Sequence, residues 1–448
     1  MTETPQALTE ALIDAAQKAG ADAADAMASR GTSITVDVRN RALEQAERAE
    51  SVDIGLRVFL GRRQATVSAS DIRDATVRAL AERAVAMARE APEDPYAGLA
   101  GADEVAREWD VAALDLEDRG PEPAPDALEE AARRAEAAAR DVAGVTQVQS
   151  ATAAYGRDVV HLATSNGFSG GYARTDHVVS CVAIAGSGSG MERDHDSDGR
   201  IHREDMRSPE SIGRRAGERA AEREGARKPP TGAYPVLFDE RVARSLIGHL
   251  LAAANGAAIA RGSSWLLNKL GEPVLPEALS LVEDPHRPRV MGSRAFDGEG
   301  LATKRRTIVE DGRLLGWTLD LATARQLGMR STANAQRSTS GTPRPGIWNV
   351  ALTQGDASRD DLIREMGEGL LVTSMIGSTI NPNTGDYSRG VAGFWVEGGE
   401  IAYPVNEGTI AGSLPDFLRR VTPANDARTH LSHVVPSLLV EGLTLAGV

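Results

Sequence analysis

Cysteine is almost missing from this chain of 448 residues: Cys181 is its single example. That excludes an intramolecular disulfide framework and any thiol-rich zinc or iron–sulfur site. Lysines number only four, there is no dense basic block, and 64 Asp and Glu outweigh 50 Lys and Arg for a formal net charge of −14. Such a balance argues against non-specific nucleic-acid binding, which depends on cations neutralising phosphates. No stretch approaches the roughly 18 consecutive apolar residues of a membrane span. The start, Met1-Thr2-Glu3-Thr4-Pro5, lacks the basic and apolar regions of a signal peptide, so the cytoplasm is the expected compartment. What is present is the composition of a globular protein, 41% hydrophobic and 25% charged. At about 100–200 residues per domain the length suggests two to four domains.

The spacing of apolar residues predicts a repeated order of elements. Thr4 and Pro5 open a helix with Leu8, Leu12 and Ala15 on one face. Strand-like alternation follows at Ile34–Val38 and Ile54–Val58, then a turn at Gly61 and a third strand near Val67. A second helical pattern runs from Ser70 through Met87. After Pro121, Pro123 and Pro125 the order returns: a helix over Asp126–Val142, strands at Val145–Val148, Val159–Ala163 and His177–Ile184, and a helix opened by Ser208-Pro209. Asn166-Gly167 marks a turn, since both residues tolerate positive φ. Two related α–β–β–β–α units are therefore expected, within domains at 1–112 and 113–228. Beyond Lys228-Pro229-Pro230 the chain turns Gly-rich with short apolar runs, including Leu314–Leu319 and Ile347–Leu352. One helix, Glu240–Ala254, is capped by Asp239. The fold class is α+β, with a mainly antiparallel, barrel- or sandwich-like domain over 229–448.

Chemical sites are hard to find among the residues. His430 and His433 are the closest histidine pair, without a Cys nearby, and read as surface residues on a terminal segment. Asp194-x-Asp196-x-Asp198-Gly199 through Asp205 fits the spacing of a calcium loop, but a strand enters it instead of a helix, so a solvated acidic hairpin is expected. Gly186-x-Gly188-x-Gly190 has neither the helix of a dinucleotide site nor the Gly-Lys-Ser/Thr of a Walker motif. Cys181 lies in an apolar run and reads as a small buried side chain. The block Ile380-Asn381-Pro382-Asn383-Thr384-Gly385-Asp386-Tyr387-Ser388-Arg389-Gly390 is more informative. A tight loop of this kind beside a strand edge could receive an extended peptide, or it could simply shape a barrel.

That block, continuing through Gly393-Phe394-Trp395-Val396-Glu397 to Gly408-Thr409-Ile410-Ala411-Gly412, resembles the signature of the PmbA/TldE proteins, a group named as modulators of DNA gyrase. Phe296-Asp297-Gly298-Glu299-Gly300, Ala333-Asn334-Ala335 and Arg261-Gly262-Ser263-Ser264 belong to the same resemblance. The TldD branch carries His-Glu-x-x-x-His on a helix and a Cys near its C-terminus. Counting back from Gly262 puts the equivalent positions at Ile247, Gly248 and Ala252, and no Cys follows Val421. His249 has no partner in that helix. The resemblance implies a chain without catalytic or metal-binding residues of its own. It implies a TldD-type partner that supplies zinc and hydrolysis, action on unfolded peptides such as leader sequences and antitoxins, and a homodimer when the partner is absent. Asn381, Asn383, Asp386, Tyr387, Ser388 and Arg389 are the expected substrate contacts. An independent metallopeptidase with relocated ligands, or a protein that binds gyrase, are the alternatives.

Overall fold

The computed structural model describes residues 4–447, without the side chains of 378 and 379. Helix α1 (Pro5–Lys18) starts where the Thr4 hydroxyl accepts the Ala7 N–H, and it buries Leu8, Leu12 and Ala16. Strands β1 (Ala23–Arg39), β2 (Ala42–Leu60) and β3 (Arg63–Ala69) follow, then α2 (Asp74–Glu90). The second unit repeats the pattern: α3 (Pro125–Arg140), β4 (Val145–Thr164), β5 (Ser169–Ala185), β6 (Glu192–Arg200) and α4 (Pro209–Ala221). The units share one antiparallel sheet of six strands, ordered β3-β2-β1-β4-β5-β6. Their first strands form the join, paired from Asp25 opposite Thr164 to Val38 opposite Ala151. Each helix pair covers its own half. Leu12, Leu56 and Leu80 pack in one core, and Ile34, Cys181 and Ile212 in the other. Burial pushes the Cys181 thiol up to about 12, so it is an inert core group.

The second unit departs from its expected strands. Val145–Val148 and Val159–Ala163 are two ends of one long strand, β4, because Tyr155 and its small neighbours carry the alternation across the gap. The third strand is β6, the acidic segment. Asp194, Asp196 and Asp198 lie on one face of it and are buried, not solvated. Asp196 receives Arg207 and Arg219, both at 2.7 Å, Asp198 receives Arg200 at 3.0 Å, and Asp194 receives Arg241 at 3.1 Å. Extended backbone spreads these carboxylates along a strand, and each is neutralised by arginine. No calcium loop forms.

The C-terminal part is built around a closed barrel. Strands β7 (Gly232–Phe238), β8 (Gly369–Ile380), β9 (Asp386–Glu397), β10 (Glu400–Ser413) and β11 (Leu438–Ala446) are joined in the order β10-β9-β8-β7-β11, and β10 pairs with β11 to close the ring. Only β7 and β8 run parallel within it. Closure removes the exposed edges that an open sheet would present. Helix α5 (Glu240–Ala253), capped by the Asp239 carboxylate, joins the apolar core formed by these strands through Leu246, Ile247 and Leu250. Beside the barrel lies a sheet of short strands, among them Leu281–Glu283, Val350–Leu352 and His433–Val434. The expected strand at Leu314–Leu319 is limited to Arg313–Leu314; beyond it the chain follows irregular backbone towards Asp320. His433 falls in one of the short strands and both terminal histidines are partly buried, which corrects their reading as surface residues.

A buried polar seam fixes the N-terminal sheet on the C-terminal domain. Asp25 of β1 accepts Arg57 of β2 at 2.9 Å and also binds Arg337 from the far domain. Burial alone would raise Asp25, but the Arg337 and Arg57 charges outweigh it and hold its pKa below the usual carboxylate range. Nearby, Asp297 accepts the backbone N–H groups of Glu299, Leu301 and Ala335, which draws the turn Phe296–Gly300 against the segment carrying Asn334. Glu299 accepts the Leu321 N–H at 2.9 Å. Burial, reinforced by the Asp297 charge, pushes Glu299 above the usual carboxylate range. Gly55 permits the close approach of the two domains, because a Cβ there would lie 1.8 Å from the Thr339 carbonyl oxygen.

Two predictions follow from the seam. Above the ordinary carboxylate range, the folded Asp297–Glu299 pair holds a proton that the unfolded chain has released. Its contribution to stability is therefore largest at low pH and declines as pH rises beyond that range. Urea unfolding at intervals from mildly acidic to mildly alkaline pH should show this fall, and Glu299→Gln should flatten it. Gly55→Ala, which forces a methyl into the Thr339 backbone, should cost about 1–3 kcal/mol in the same measurement.

Candidate functional site

The signature block folds as a bracket between β8 and β9. The Asn381 side chain accepts the Asn383 N–H at 3.0 Å, and the Asn381 carbonyl accepts the Gly385 N–H at 2.8 Å. Thr384 donates its hydroxyl to the Asp386 carboxylate at 2.6 Å. Asn381, Asn383 and Asp386 are thus exposed, and the side-chain bonds of Asn381 and Asp386 lie within their own turn. Gly385, at φ +78°, is required because a Cβ would sit 2.5 Å from Pro415.

The bracket is pinned to the segment after α5. The Pro382 carbonyl accepts the Trp265 N–H at 2.7 Å, while Ser264 donates to the Ala253 carbonyl at the end of α5 and accepts the Leu266 N–H. Gly262, at φ +69°, follows the short helix Gly256–Ala260 and turns the chain towards these contacts. The Arg261–Ser264 motif therefore ties the α5 end to the bracket.

Alternation along β9 separates the remaining expected residues. Tyr387 is buried against Phe417, with ring centroids 5.5 Å apart, and its hydroxyl reaches Met375 Sδ at 3.3 Å. Burial pushes the Tyr387 phenol up to about 12. His249 meets Tyr387 edge-on at 5.8 Å, its Nε2 buried without a protein partner. Burial, with the Arg389 charge added to it, pushes His249 down to about 4, leaving a neutral imidazole at neutral pH. The Arg389 Nε is likewise buried without a protein partner. Ser388, between them in sequence, belongs to the opposite face of the strand. The fold thus brings His249, Tyr387 and Arg389 together and leaves Asn381, Asn383 and Asp386 as turn-formers.

The three α5 positions do not share a face. Ile247 is fully buried in the barrel core, Ala252 is exposed, and Gly248 fronts open space with nothing within 4 Å of where its Cβ would lie. Among the described residues no three His, Cys, Asp or Glu side chains converge as a metal shell. None of the described helices is long and apolar enough to cross a membrane.

Sequence reasoning assigned no role to the residues of the seam. Phe296–Gly300 and Ala333–Ala335 stood out as motifs, but Asp25 and Arg57, which meet Arg337 and Glu299 across the seam, lie far away in the chain. Asn334 donates to Glu283 at 2.9 Å, and Glu283 also accepts the Trp348 N–H and Arg306. The one signal available was the presence of acidic residues inside otherwise apolar, Gly-rich segments.

Comparison with known proteins agrees with these motifs. Three PmbA/TldA metallopeptidase profiles match in order: domain 1 over 24–88, the central domain over 116–224 and the C-terminal domain over 231–447. The metalloprotease PmbA of Escherichia coli O157:H7 is 35% identical over 443 residues, covering 98% of this chain and 96% of its own. A PmbA homologue from Haemophilus influenzae is 33% identical, covering 97% and 94%. Among solved structures, a candidate modulator of DNA gyrase from Bacteroides thetaiotaomicron is 26% identical with a TM-score of 0.91, covering 98% of both chains. TldE from Thermococcus kodakarensis, 22% identical, shares the fold with a TM-score of 0.86 over 98% of this chain and 100% of its own. By its motifs, its three matched domains and its relatives along nearly the whole length, this chain belongs to the PmbA/TldE family of the PmbA/TldD metallopeptidases.

Proposed function

We propose that this chain is the non-catalytic subunit of a cytoplasmic two-chain zinc peptidase. In this reading a TldD-type partner supplies the metal and the hydrolytic water, and this chain helps enclose and hold unfolded peptides such as leader sequences or antitoxins. The observation that carries the reading is the donor chemistry of α5. Hydrolytic zinc needs three protein ligands and an open position, with a base to activate water. Ile247, Gly248 and Ala252 offer neither lone pair nor carboxylate, and they point to different surroundings. Zinc does not fit this helix, and no reaction step is assigned to it.

The chemistry left at the barrel suits holding rather than cutting. His249 is neutral, and it shares a largely buried corner with Tyr387 and Arg389. The neighbouring bracket is held by hydrogen bonds within its own turn and to Trp265 and Leu414. Such a surface can orient a backbone or a carboxylate without transferring a proton.

Co-expression with a TldD-type chain tests the division of labour. Peptide cleavage is expected from the pair and from neither chain alone; turnover by this chain alone contradicts the proposal. Arg389→Ala and Tyr387→Phe in the pair should raise KM for an unfolded peptide by about tenfold, an effect of the size of one charge-assisted hydrogen bond. Asn383→Ala, which removes a turn residue, should leave KM unchanged. Equal KM values for all three variants with intact complex formation would take the block out of the substrate path.

A further inference from the structure

A cavity of about 280 Å³ lies along the seam, between β1, β4 and β5 on one side and the C-terminal domain on the other. It falls near the lower end of the size range for small-molecule pockets. Tyr172, Phe296, Trp348 and Ile347 contribute apolar walls, and Arg294 and Arg337 contribute cations. The rings are held in place. Phe296 packs edge-on against Tyr172 at 5.6 Å, and the Trp348 indole N–H donates to the Ala333 carbonyl at 3.1 Å.

The uncommitted hydrogen-bonding capacity of the cavity lies on arginine. The Arg337 side chain is fully buried, and one nitrogen binds Asp25 while Nε and Nη2 have no protein partner. The Arg294 guanidinium lies 5.4 Å over the Trp348 ring, and its hydrogen bonds go to the carbonyls of Met291 and Ser293, not to a carboxylate. Behind Tyr172, Arg174 is also without a protein partner at Nε, and burial with the Arg294 charge pushes it down to about 10. Asp297 borders the cavity, but its oxygens are taken by the backbone N–H groups of Glu299, Leu301 and Ala335. Buried guanidinium nitrogens left without acceptors, as at Nε and Nη2 of Arg337, are costly, and an anion placed beside them offsets that cost.

We propose that this cavity binds a small aromatic carboxylate, with the carboxylate taken by Arg337 and Arg294 and the ring held among Tyr172, Phe296 and Trp348. The site lies wholly within this chain and is independent of the pairing proposed above. A free aromatic acid and the aromatic C-terminal residue of a peptide present the same chemistry.

Calorimetry on the purified chain with 3-phenylpropionate, 3-phenylpropionamide and the tripeptide Gly-Gly-Phe tests the site. The acid should bind at least about tenfold more tightly than the amide, the size expected of a hydrogen bond to a charged group. Arg294→Gln should weaken acid binding by about tenfold, since its hydrogen bonds stay within its own loop and its loss should leave the fold intact. Ile347→Trp, which fills the cavity, should abolish it. Tripeptide binding as tight as that of the acid assigns the site to peptide termini, and exclusion of the tripeptide assigns it to free acids. Equal binding of acid and amide, no binding up to about 10 mM acid, or undiminished affinity in well-folded Arg294→Gln would overturn the proposal.

Discussion

Asp25 is the carboxylate on which the two parts of the molecule meet. Arg57 reaches it from the adjacent strand and Arg337 from the far domain, and all three side chains are buried. Removing one partner of such a pair leaves an uncompensated interior charge, a loss of about 3–5 kcal/mol. The arrangement therefore fixes how the six-stranded sheet sits on the C-terminal domain. Gly55 allows the Thr339 backbone to come close, and the Asp297 turn holds the loops that frame the cavity. A buried network of this sort restricts the docking geometry more than a purely apolar contact would, because each charge must find its own partner.

The barrel works by a different rule. Its ring of strands is closed, and helix α5 contributes Leu246, Ile247 and Leu250 to the core it encloses. The positions that would carry zinc chemistry in the TldD branch are given over to packing, to open space and to an exposed methyl. The family signature survives next to that helix as a rigid turn and as the inward pair Tyr387 and Arg389. The same motif thus forms a turn in its first half and faces the barrel interior in its second.

The sequence announced elements that depend on local chemistry. Thr4-Pro5, Asp239 and Asn166-Gly167 mark helix starts and a turn that the fold contains, and the Gly-rich short runs pointed to a barrel- or sandwich-like sheet, of which the fold takes the barrel. It was misleading where tertiary partners decide. Asp194 and Asp196 read as solvated because their arginines, Arg207, Arg219 and Arg241, come from elsewhere in the chain. Val145–Val148 and Val159–Ala163 read as separate strands because small residues between them hide the alternation. His249 was visible only as an isolated residue, since Tyr387 and Arg389 join it through barrel closure. The seam was invisible for the same reason: its charges are far apart in the chain, Asp25 meeting Arg57 on the neighbouring strand and Arg337 from the other domain.

The division between a zinc-bearing partner and a chain that holds substrate rests on coordination chemistry, and metal content measures it most directly. Purified without chelators, with zinc supplied during growth, this chain alone is predicted to carry no stoichiometric transition metal, and its complex with a TldD-type chain is predicted to carry zinc that stays with the partner on separation. One tightly held zinc per isolated chain, released by a chelator with loss of its own peptidase activity, would contradict the account.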